Sequence, residues 1–77
     1  MSKSFLIIGL GRFGQSTARM LTTLGHEVLA VDKRADRVSA VKDSVLHAVQ
    51  ADTTDERAIA QLGIRNFDCV VICIGDD

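Results

Sequence analysis

The chain has 77 residues, of which 47% are hydrophobic, and this length allows one small globular domain without a second core. Nine basic and ten acidic residues give a net charge of -1 with no block of one sign, which excludes the basic surface typical of nucleic-acid-binding proteins. The longest apolar run, near residues 69–74, is too short to span a bilayer, and the N-terminus lacks the apolar length of a secretory signal, so we expect a cytosolic chain.

The first half of the chain is predicted to form a strand, a helix and a second strand. Residues 4–8, SFLII, are apolar and rich in branched side chains, which predicts a short strand. Apolar residues then recur at helical spacing, at Phe13, Ala18, Leu21 and Leu24. We expect this helix to begin near Phe13 and to close at Gly25 in a left-handed cap, before a strand over residues 27–32, EVLAVD, that ends in an acid.

A second helix is predicted over residues 35–43, with one apolar and one polar face. The apolar face consists of Ala35, Val38 and Val41, and the solvent face of Asp36, Arg37, Ser39 and Lys42. Residues 47–51, HAVQA, predict a third strand that is weaker than the others, as is typical of the edge of a sheet.

The last predicted elements are a third helix and a fourth strand. Thr53 stands three residues before Glu56, which is a capping-box pattern and predicts a helix over residues 54–62 that stops at Gly63. Residues 68–75, DCVVICIG, are apolar on both faces, as in a parallel strand covered by helices on each side.

Strands and helices thus alternate along the whole chain, which predicts the α/β class. Right-handed crossovers would give a Rossmann-like parallel sheet of four strands in the order 3-2-1-4 with three helices. This is half of a complete Rossmann lobe.

The glycines Gly9, Gly11 and Gly14 form a G-x-G-x-x-G pattern between the first strand and the first helix. In nucleotide-binding folds the first glycine permits a tight turn, the second lets the backbone approach a pyrophosphate, and the third lets the helix lie close to the strand. The N-terminus of the helix would then point its N–H groups and its positive dipole end at the phosphates. The alternative is that these are turn glycines without a ligand.

Asp32 ends the second strand, 23 residues beyond Gly9, where an acid is expected to accept hydrogen bonds from the ribose hydroxyls of an adenosine group. Its alternative role is to cap the second helix. A carboxylate here repels a 2′-phosphate, which disfavours NADP although Lys33 and Arg34 lie next to it, and Lys33 is counted among the ligand-binding candidates. NAD(H), ATP and ADP remain open.

Five further residues lie at predicted carboxyl ends of strands or in the glycine loop. Arg12 would neutralise a phosphate of the same or a neighbouring subunit's ligand, or else is a solvated loop residue. Asp52 and Thr53 follow the third strand at this edge. Asp52 and Ala51, the last residue of that strand, would face the adenine, while Thr53 is expected to cap the third helix. Gly75, after the fourth strand, would admit the central part of the ligand or simply end the strand.

The cysteines and histidines are predicted to be structural. Cys69 and Cys73 are about 13 Å apart if they lie on one strand, which is too far for a disulfide, and both are expected in the core. His26 and His47 have no second ligand near them in the sequence, so no metal site and no catalytic residue is predicted.

The segments GLGRFGQS, GHEVLAVD, ADTTDE and LGIRNFDCVVICIG together resemble the N-terminal nucleotide-binding lobe of the RCK or TrkA-N family. Members of this family are cytosolic regulators of potassium channels and transporters, and the chain is most similar to the KtrA-type subunits of bacterial Ktr potassium uptake systems. The resemblance extends over essentially the whole chain, so residues 1–77 are interpreted as one truncated domain of this type.

The resemblance implies a domain that binds ATP, ADP or NAD(H) without catalysis and passes the ligand state to a membrane pore through a ring of such domains. It implies a phosphate loop formed by Gly9, Gly11, Arg12, Phe13 and Gly14. It also implies a ribose clamp at Asp32, an adenine wall at Asp52 and Thr53, and closure of the site by Ile74 and Gly75. Arg12 would sense a terminal phosphate across a subunit boundary.

Because the chain stops at Asp77, before the two further strands of a full lobe, the fourth strand is expected to be an exposed edge that pairs with another chain. Two other functions compete with a ligand sensor. The same loop would serve the cofactor half of an NAD-dependent oxidoreductase, and a third possibility is an interaction module with an empty site.

Overall fold

The computed structural model describes residues 2–73, which form a four-stranded parallel sheet and three helices. In chain order the elements are β1 (Ser4–Ile8), α1 (Arg12–Thr23), β2 (Glu27–Asp32), α2 (Ala35–Val41), β3 (His47–Gln50), α3 (Glu56–Gln61), a 3-10 turn (Ile64–Asn66) and β4 (Cys69–Ile72). The strand order β3-β2-β1-β4 confirms the predicted fold. The predicted end of the fourth strand, residues 74–75, lies outside the described residues.

The core lies on both faces of the sheet, with β1 at its centre. On one face α1 and α2 cover Ile7, Val28 and Ala30. On the other face Leu6, Ile8 and Val31 pack against partly buried residues of and around α3 and the 3-10 turn, among them Ile59, Leu62 and Phe67. α3 itself has no buried residue, so this second face is the more thinly covered one.

The C-terminus of α1 confirms the predicted left-handed cap. Gly25 has a φ of 92°, a conformation that L side chains rarely adopt. The N–H of His26 donates to the carbonyl oxygen of Leu21, and that of Gly25 to Thr22, both at 3.0 Å. This pair of bonds is a Schellman motif, which satisfies two carbonyl groups at the helix end.

The apolar face predicted for α1 is only half right. Ala18 and Leu21 are buried together with Gly14, but Phe13 is 59% exposed and Leu24 65% exposed. The helix contacts the sheet through Gly14, Ala18 and Leu21, and its other large apolar residues lie to the side of that contact. In α2 the outcome is similar, because Val41 is buried while Ala35 is exposed.

The cap predicted for the third helix is wrong. The N-cap of α3 is Asp55, whose carboxylate accepts a hydrogen bond from the N–H of Arg57 at 2.9 Å. Thr53 instead lies in the turn that follows β3. Aspartate is at least as good an N-cap as threonine, so Asp55 can take this role from Thr53. The helix consequently begins two residues later than expected, at Glu56.

β4 is an edge strand within the described part of the chain, since it pairs with β1 alone. Ile72 is 69% exposed, as expected for an uncovered edge. The prediction that both thiols are buried is wrong for Cys69, which is exposed, and right for Cys73. The difference arises because Cys73 packs in the cluster beneath α1, whereas Cys69 begins the edge strand.

The starts of β1 and β4 are joined by a reciprocal contact between Ser4 and Asp68. The Asp68 carboxylate accepts hydrogen bonds from the Ser4 N–H at 2.7 Å and from the Ser4 hydroxyl at 3.2 Å. The Asp68 N–H in turn donates to the Ser4 hydroxyl oxygen at 3.1 Å. The Ser4 N–H, followed by its hydroxyl, holds the pKa of Asp68 below its ordinary value.

We therefore expect this contact to contribute to stability at neutral pH and to be lost in acid. A carboxylate with a depressed pKa in the folded state stabilises the fold above its unfolded value of 3.8, and the contribution disappears as the pH falls through the lower folded value. Thermal unfolding of Asp68→Asn should give a lower Tm than wild type at pH 7 and a difference that shrinks below about pH 4. Asp43→Asn, which removes an exposed carboxylate from another loop, is the control. A Tm difference for Asp68→Asn that is independent of pH would contradict this assignment.

Candidate functional site

The glycine loop joins the end of β1 to the start of α1. Gly9 has a φ of 99°, and its N–H donates to the Val31 carbonyl oxygen at 2.8 Å, so the loop starts as a tight turn against β2. A Cβ placed on Gly14 would overlap the carbonyl oxygen of Gly9 and would lie 3.4 Å from the Cβ of Cys73. The turn predicted at Gly9 and the close packing predicted at Gly14 are both confirmed.

The N-terminus of α1 has no capping side chain. Its N-cap is Gly11, which is buried and extended, and the first turn carries no acidic residue. The N–H groups of a first helical turn have no partners within the helix, and they carry the positive end of the helix dipole. Arg12 and Phe13, both exposed, begin this turn. The arrangement is suited to an anion.

Asp32, at the end of β2, lies against the glycine loop and is only 6% exposed. One oxygen of its carboxylate accepts a hydrogen bond from the Leu10 N–H at 2.7 Å, and the other accepts one from the Arg34 N–H at 2.9 Å. The guanidinium of Arg37, on α2, is 4.0 Å from the first oxygen. The structure thus joins two of the features that the sequence singled out, the glycine loop and the acid 23 residues beyond Gly9.

The alternative role of Asp32 as the cap of α2 is wrong. The N-cap of that helix is Arg34, which has an extended backbone and no side-chain cap. Arg34 is itself tied to Asp36 by two hydrogen bonds at 3.0 and 3.1 Å, and these hold the pKa of Asp36 below its ordinary value. Lys33, the other basic neighbour of Asp32, is exposed.

The residues after β3 lie beside the end of β2. The N–H of Ala51, which is half-buried, donates to the main-chain carbonyl oxygen of Asp32 at 3.0 Å. The exposed Asp52 accepts hydrogen bonds at one carboxylate oxygen from the hydroxyl of Thr54 at 2.6 Å and from its N–H at 2.9 Å. These bonds hold the pKa of Asp52 below its ordinary value. Ala51, Asp52 and the half-buried Thr53 therefore share the carboxyl edge of the sheet with Asp32.

Three residues at this edge are not predicted from the sequence. Leu10 and Gln15 belong to the glycine loop and the first turn of α1, where the amide of Gln15 donates to the Leu10 carbonyl oxygen at 2.9 Å. Arg37 was assigned to the solvent face of α2, but it is half-buried beside Asp32. The sequence feature that could have indicated this contact is that Arg37 follows Asp32 by only five residues. Ile74 and Gly75, the predicted closing residues, lie outside the described residues.

Other polar features lie at the opposite, amino edge of the sheet. A cavity of about 430 Å³ there is lined by residues that include Gly25, Glu27 and Leu46. His26 also lines it, and its Nδ1 accepts a hydrogen bond from the Lys3 N–H at 3.1 Å, while its ring packs edge-to-face with that of Phe5. Across residues 2–73 no cluster of three or more His, Cys, Asp or Glu residues is arranged to hold a metal ion, and no helix is long and apolar enough to cross a membrane.

A parallel sheet in this order, with a glycine turn after β1 and a buried acid at the end of β2, defines the first half of a Rossmann-like α/β protein. The chain belongs to the TrkA-N domain family, which it matches over residues 5–77. The family predicted from the sequence motifs is thereby confirmed.

Similar proteins include several named for potassium uptake. The chain is 49% identical over 74 residues to Ktr system potassium uptake protein A of Bacillus subtilis, covering 96% of the chain and 33% of that protein. It is 46% identical over 77 residues to Ktr system potassium uptake protein C of the same organism, covering all of the chain and 35% of that protein. A Trk system potassium uptake protein TrkA homolog of Pyrococcus abyssi is 32% identical over 73 residues, covering 94% of the chain and 32% of that protein. The chain thus spans about a third of the length of these relatives.

Among solved structures, N5-carboxyaminoimidazole synthetase from Staphylococcus aureus complexed with ADP superimposes with a TM-score of 0.75 and 27% sequence identity. The match covers 91% of this chain and 18% of the synthetase. It confirms the Rossmann-like fold.

Proposed function

We propose that this chain is the adenine-nucleotide-binding part of a regulatory protein for potassium uptake, with ATP, ADP or NAD(H) as its ligand. The observation that carries the proposal is the buried carboxylate of Asp32, which is hydrogen-bonded to the glycine loop in a TrkA-N domain. The sugar and the phosphates of a nucleotide are covalently joined, so the groups that bind them must lie close together. The contact between Asp32 and the glycine loop meets this requirement.

In this proposal the phosphates lie at the N-terminus of α1, where Gly11 lets the main chain approach them and Arg12 supplies a positive charge. Phe13 completes the loop, and Lys33 lies beside the ribose. The adenine is placed against Ala51, Asp52 and Thr53, with Ile74 and Gly75 closing the site.

We also propose that this chain assembles with further copies of itself and with a membrane partner. Arg12 is exposed at the start of α1, so it is available to a phosphate bound by a neighbouring copy. Among residues 2–73, β4 pairs with β1 alone and exposes Ile72, so its outer edge can accept a further strand, which in this proposal belongs to another copy in a homo-oligomer. The partner that receives the signal would be a membrane potassium transporter or channel subunit, which would hold this cytoplasmic protein at the inner face of the membrane.

The competing function, the cofactor half of an NAD-dependent oxidoreductase, would use the same loop and the same acid. The names of the relatives favour the regulatory function, since proteins A and C of the Ktr system and the TrkA homolog are all named for potassium uptake. We therefore assign no catalytic step to the chain.

Thermal unfolding in the presence of nucleotides tests the proposal. A ligand at 100 times its Kd stabilises the native state by about 2.7 kcal/mol, so ATP, ADP or NADH should raise the Tm clearly. NADPH should not, because its 2′-phosphate would meet the carboxylate of Asp32.

The matched control is Glu27→Gln at the opposite edge of the sheet, which should keep the full nucleotide response. If no adenine nucleotide raises the Tm at millimolar concentration, the proposed ligand class is wrong. If NADPH stabilises the protein as well as NADH does, nucleotide binding stands but the discrimination assigned to Asp32 fails.

A further inference from the structure

The main chain of Leu10 is held from both sides by side chains. This residue lies between β1 and α1, and its own side chain is fully buried. Its N–H donates to the carboxylate of Asp32 at 2.7 Å, and its carbonyl oxygen accepts a hydrogen bond from the amide of Gln15 at 2.9 Å. Two side chains, one from β2 and one from α1, therefore make the main-chain hydrogen bonds of Leu10 that regular secondary structure would otherwise provide.

The bond from Gln15 constrains more than Leu10. The carbonyl of Leu10 and the N–H of Gly11 belong to one planar peptide group, and they point in opposite directions when that group is trans. No cis peptide occurs among residues 2–73. Fixing the Leu10 carbonyl oxygen therefore fixes the direction of the Gly11 N–H, at the position where the loop is proposed to meet the phosphates.

We propose that Gln15 is a positioning residue for the phosphate loop. It does not contact the nucleotide; its amide orients the peptide between Leu10 and Gly11, so that the loop is already in its binding conformation before the ligand arrives. This inference rests on the proposed function. It assigns Gln15 to the phosphate end of the ligand only, whereas Asp32 acts at both ends, through the ribose and through Leu10.

The division of roles can be measured with two ligands, ADP and adenosine, which share the ribose and the base but differ in phosphate. Gln15→Met keeps the length of the side chain and removes the donor. Because the net contribution of one hydrogen bond corresponds to about a two- to tenfold change in an equilibrium constant, the Kd for ADP should rise about that much. The Kd for adenosine should stay within error of wild type.

NMR titration of the full chain gives both constants and reports folding at the same time. Gln15→Glu, which places a negative charge beside the Leu10 carbonyl oxygen, should weaken ADP further. Gln61→Met, at the exposed end of α3, is the matched control and should change neither constant.

Equal affinity of wild type and Gln15→Met for ADP would overturn the assignment. So would an equal loss for ADP and adenosine, since a merely structural role would weaken both. If the wild type binds ADP but Gln15→Met does not selectively weaken ADP, this inference is wrong while the proposed function stands. If the wild type binds no adenine nucleotide, the proposed function is wrong, and this inference is wrong with it.

Discussion

Replacing Gly14 by alanine should destabilise the domain by about 3 kcal/mol, although alanine is the better helix former. In an exposed helix the change would gain up to about 1 kcal/mol, because glycine loses more backbone freedom on folding. Here the added methyl group would overlap the carbonyl oxygen of Gly9, which is main chain and cannot rotate away. α1 would have to move off the sheet and away from Cys73. Thermal unfolding should show a Tm lower by about 10 °C or more for a domain of this size.

Two control variants distinguish the steric overlap caused by Gly14→Ala from other effects of adding a methyl group. Ser16→Ala adds no bulk in the same helix and should leave the Tm nearly unchanged. Gly25→Ala has open space around it but requires a residue with a φ of 92°, so it should cost only about 1 kcal/mol through backbone strain. A Gly14→Ala protein as stable as wild type would show that α1 does not approach Gly9 as closely as described.

The second large effect is expected for Asp32→Ala. Removing the carboxylate leaves the N–H groups of Leu10 and Arg34 without their acceptor. Because a hydrogen bond to a charged group contributes about 1.5 to 3 kcal/mol and the Leu10 site is buried, we expect a loss of about 3 kcal/mol in the free energy of unfolding. The same variant should lose binding of ADP and adenosine alike, since both ligands carry the ribose.

Asp32→Asn tests the ribose role of Asp32 even if the alanine variant does not fold. Its side chain retains one oxygen acceptor, so the protein should stay folded with a smaller loss of stability, while affinity for both ligands falls. Asp36→Asn is the matched control, because it removes a nearby carboxylate that is bound to Arg34 on the solvent side. Full ADP affinity in a folded Asp32→Asn protein would exclude the ribose role.

The fold and the frame of the site were accessible from the sequence because they depend on strong local signals. The alternation of short apolar strands with helices left one parallel order, 3-2-1-4. Gly9 and Gly25 stand where only a positive φ continues the chain, and Asp32 ends a strand next to the glycine turn. Each of these features has a marker in a short stretch of sequence, even where, as for Asp32, the contact that it makes spans 22 residues.

The predictions that failed depend on the three-dimensional path of the chain rather than on residue type and spacing. Helical spacing identified an apolar side of α1, but the approach allowed by Gly14 decided that Phe13 and Leu24 stay outside the contact. In the segment ADTTDE several oxygen atoms compete for the first N–H groups of α3, and the path of the chain after β3 selects Asp55 over Thr53. The bond from Gln15 to Leu10 spans a turn whose shape is set by Gly9, so no pattern in the sequence reveals it.

The central position of β1 has a consequence for how the protein is made. Phe5 pairs on one side with Val28 but on the other with Cys69, so the second neighbour of the first strand leaves the ribosome 64 residues after it. Synthesis proceeds at about 5 to 20 residues per second, and until β4 emerges the nascent polypeptide carries its central strand, β1, with one side open. Pairing across so long a separation also slows the search for the native state relative to a helical bundle of equal length. Between the translation of β1 and that of β4 the sheet cannot be completed, and the open side of β1 is then available for pairing with other chains.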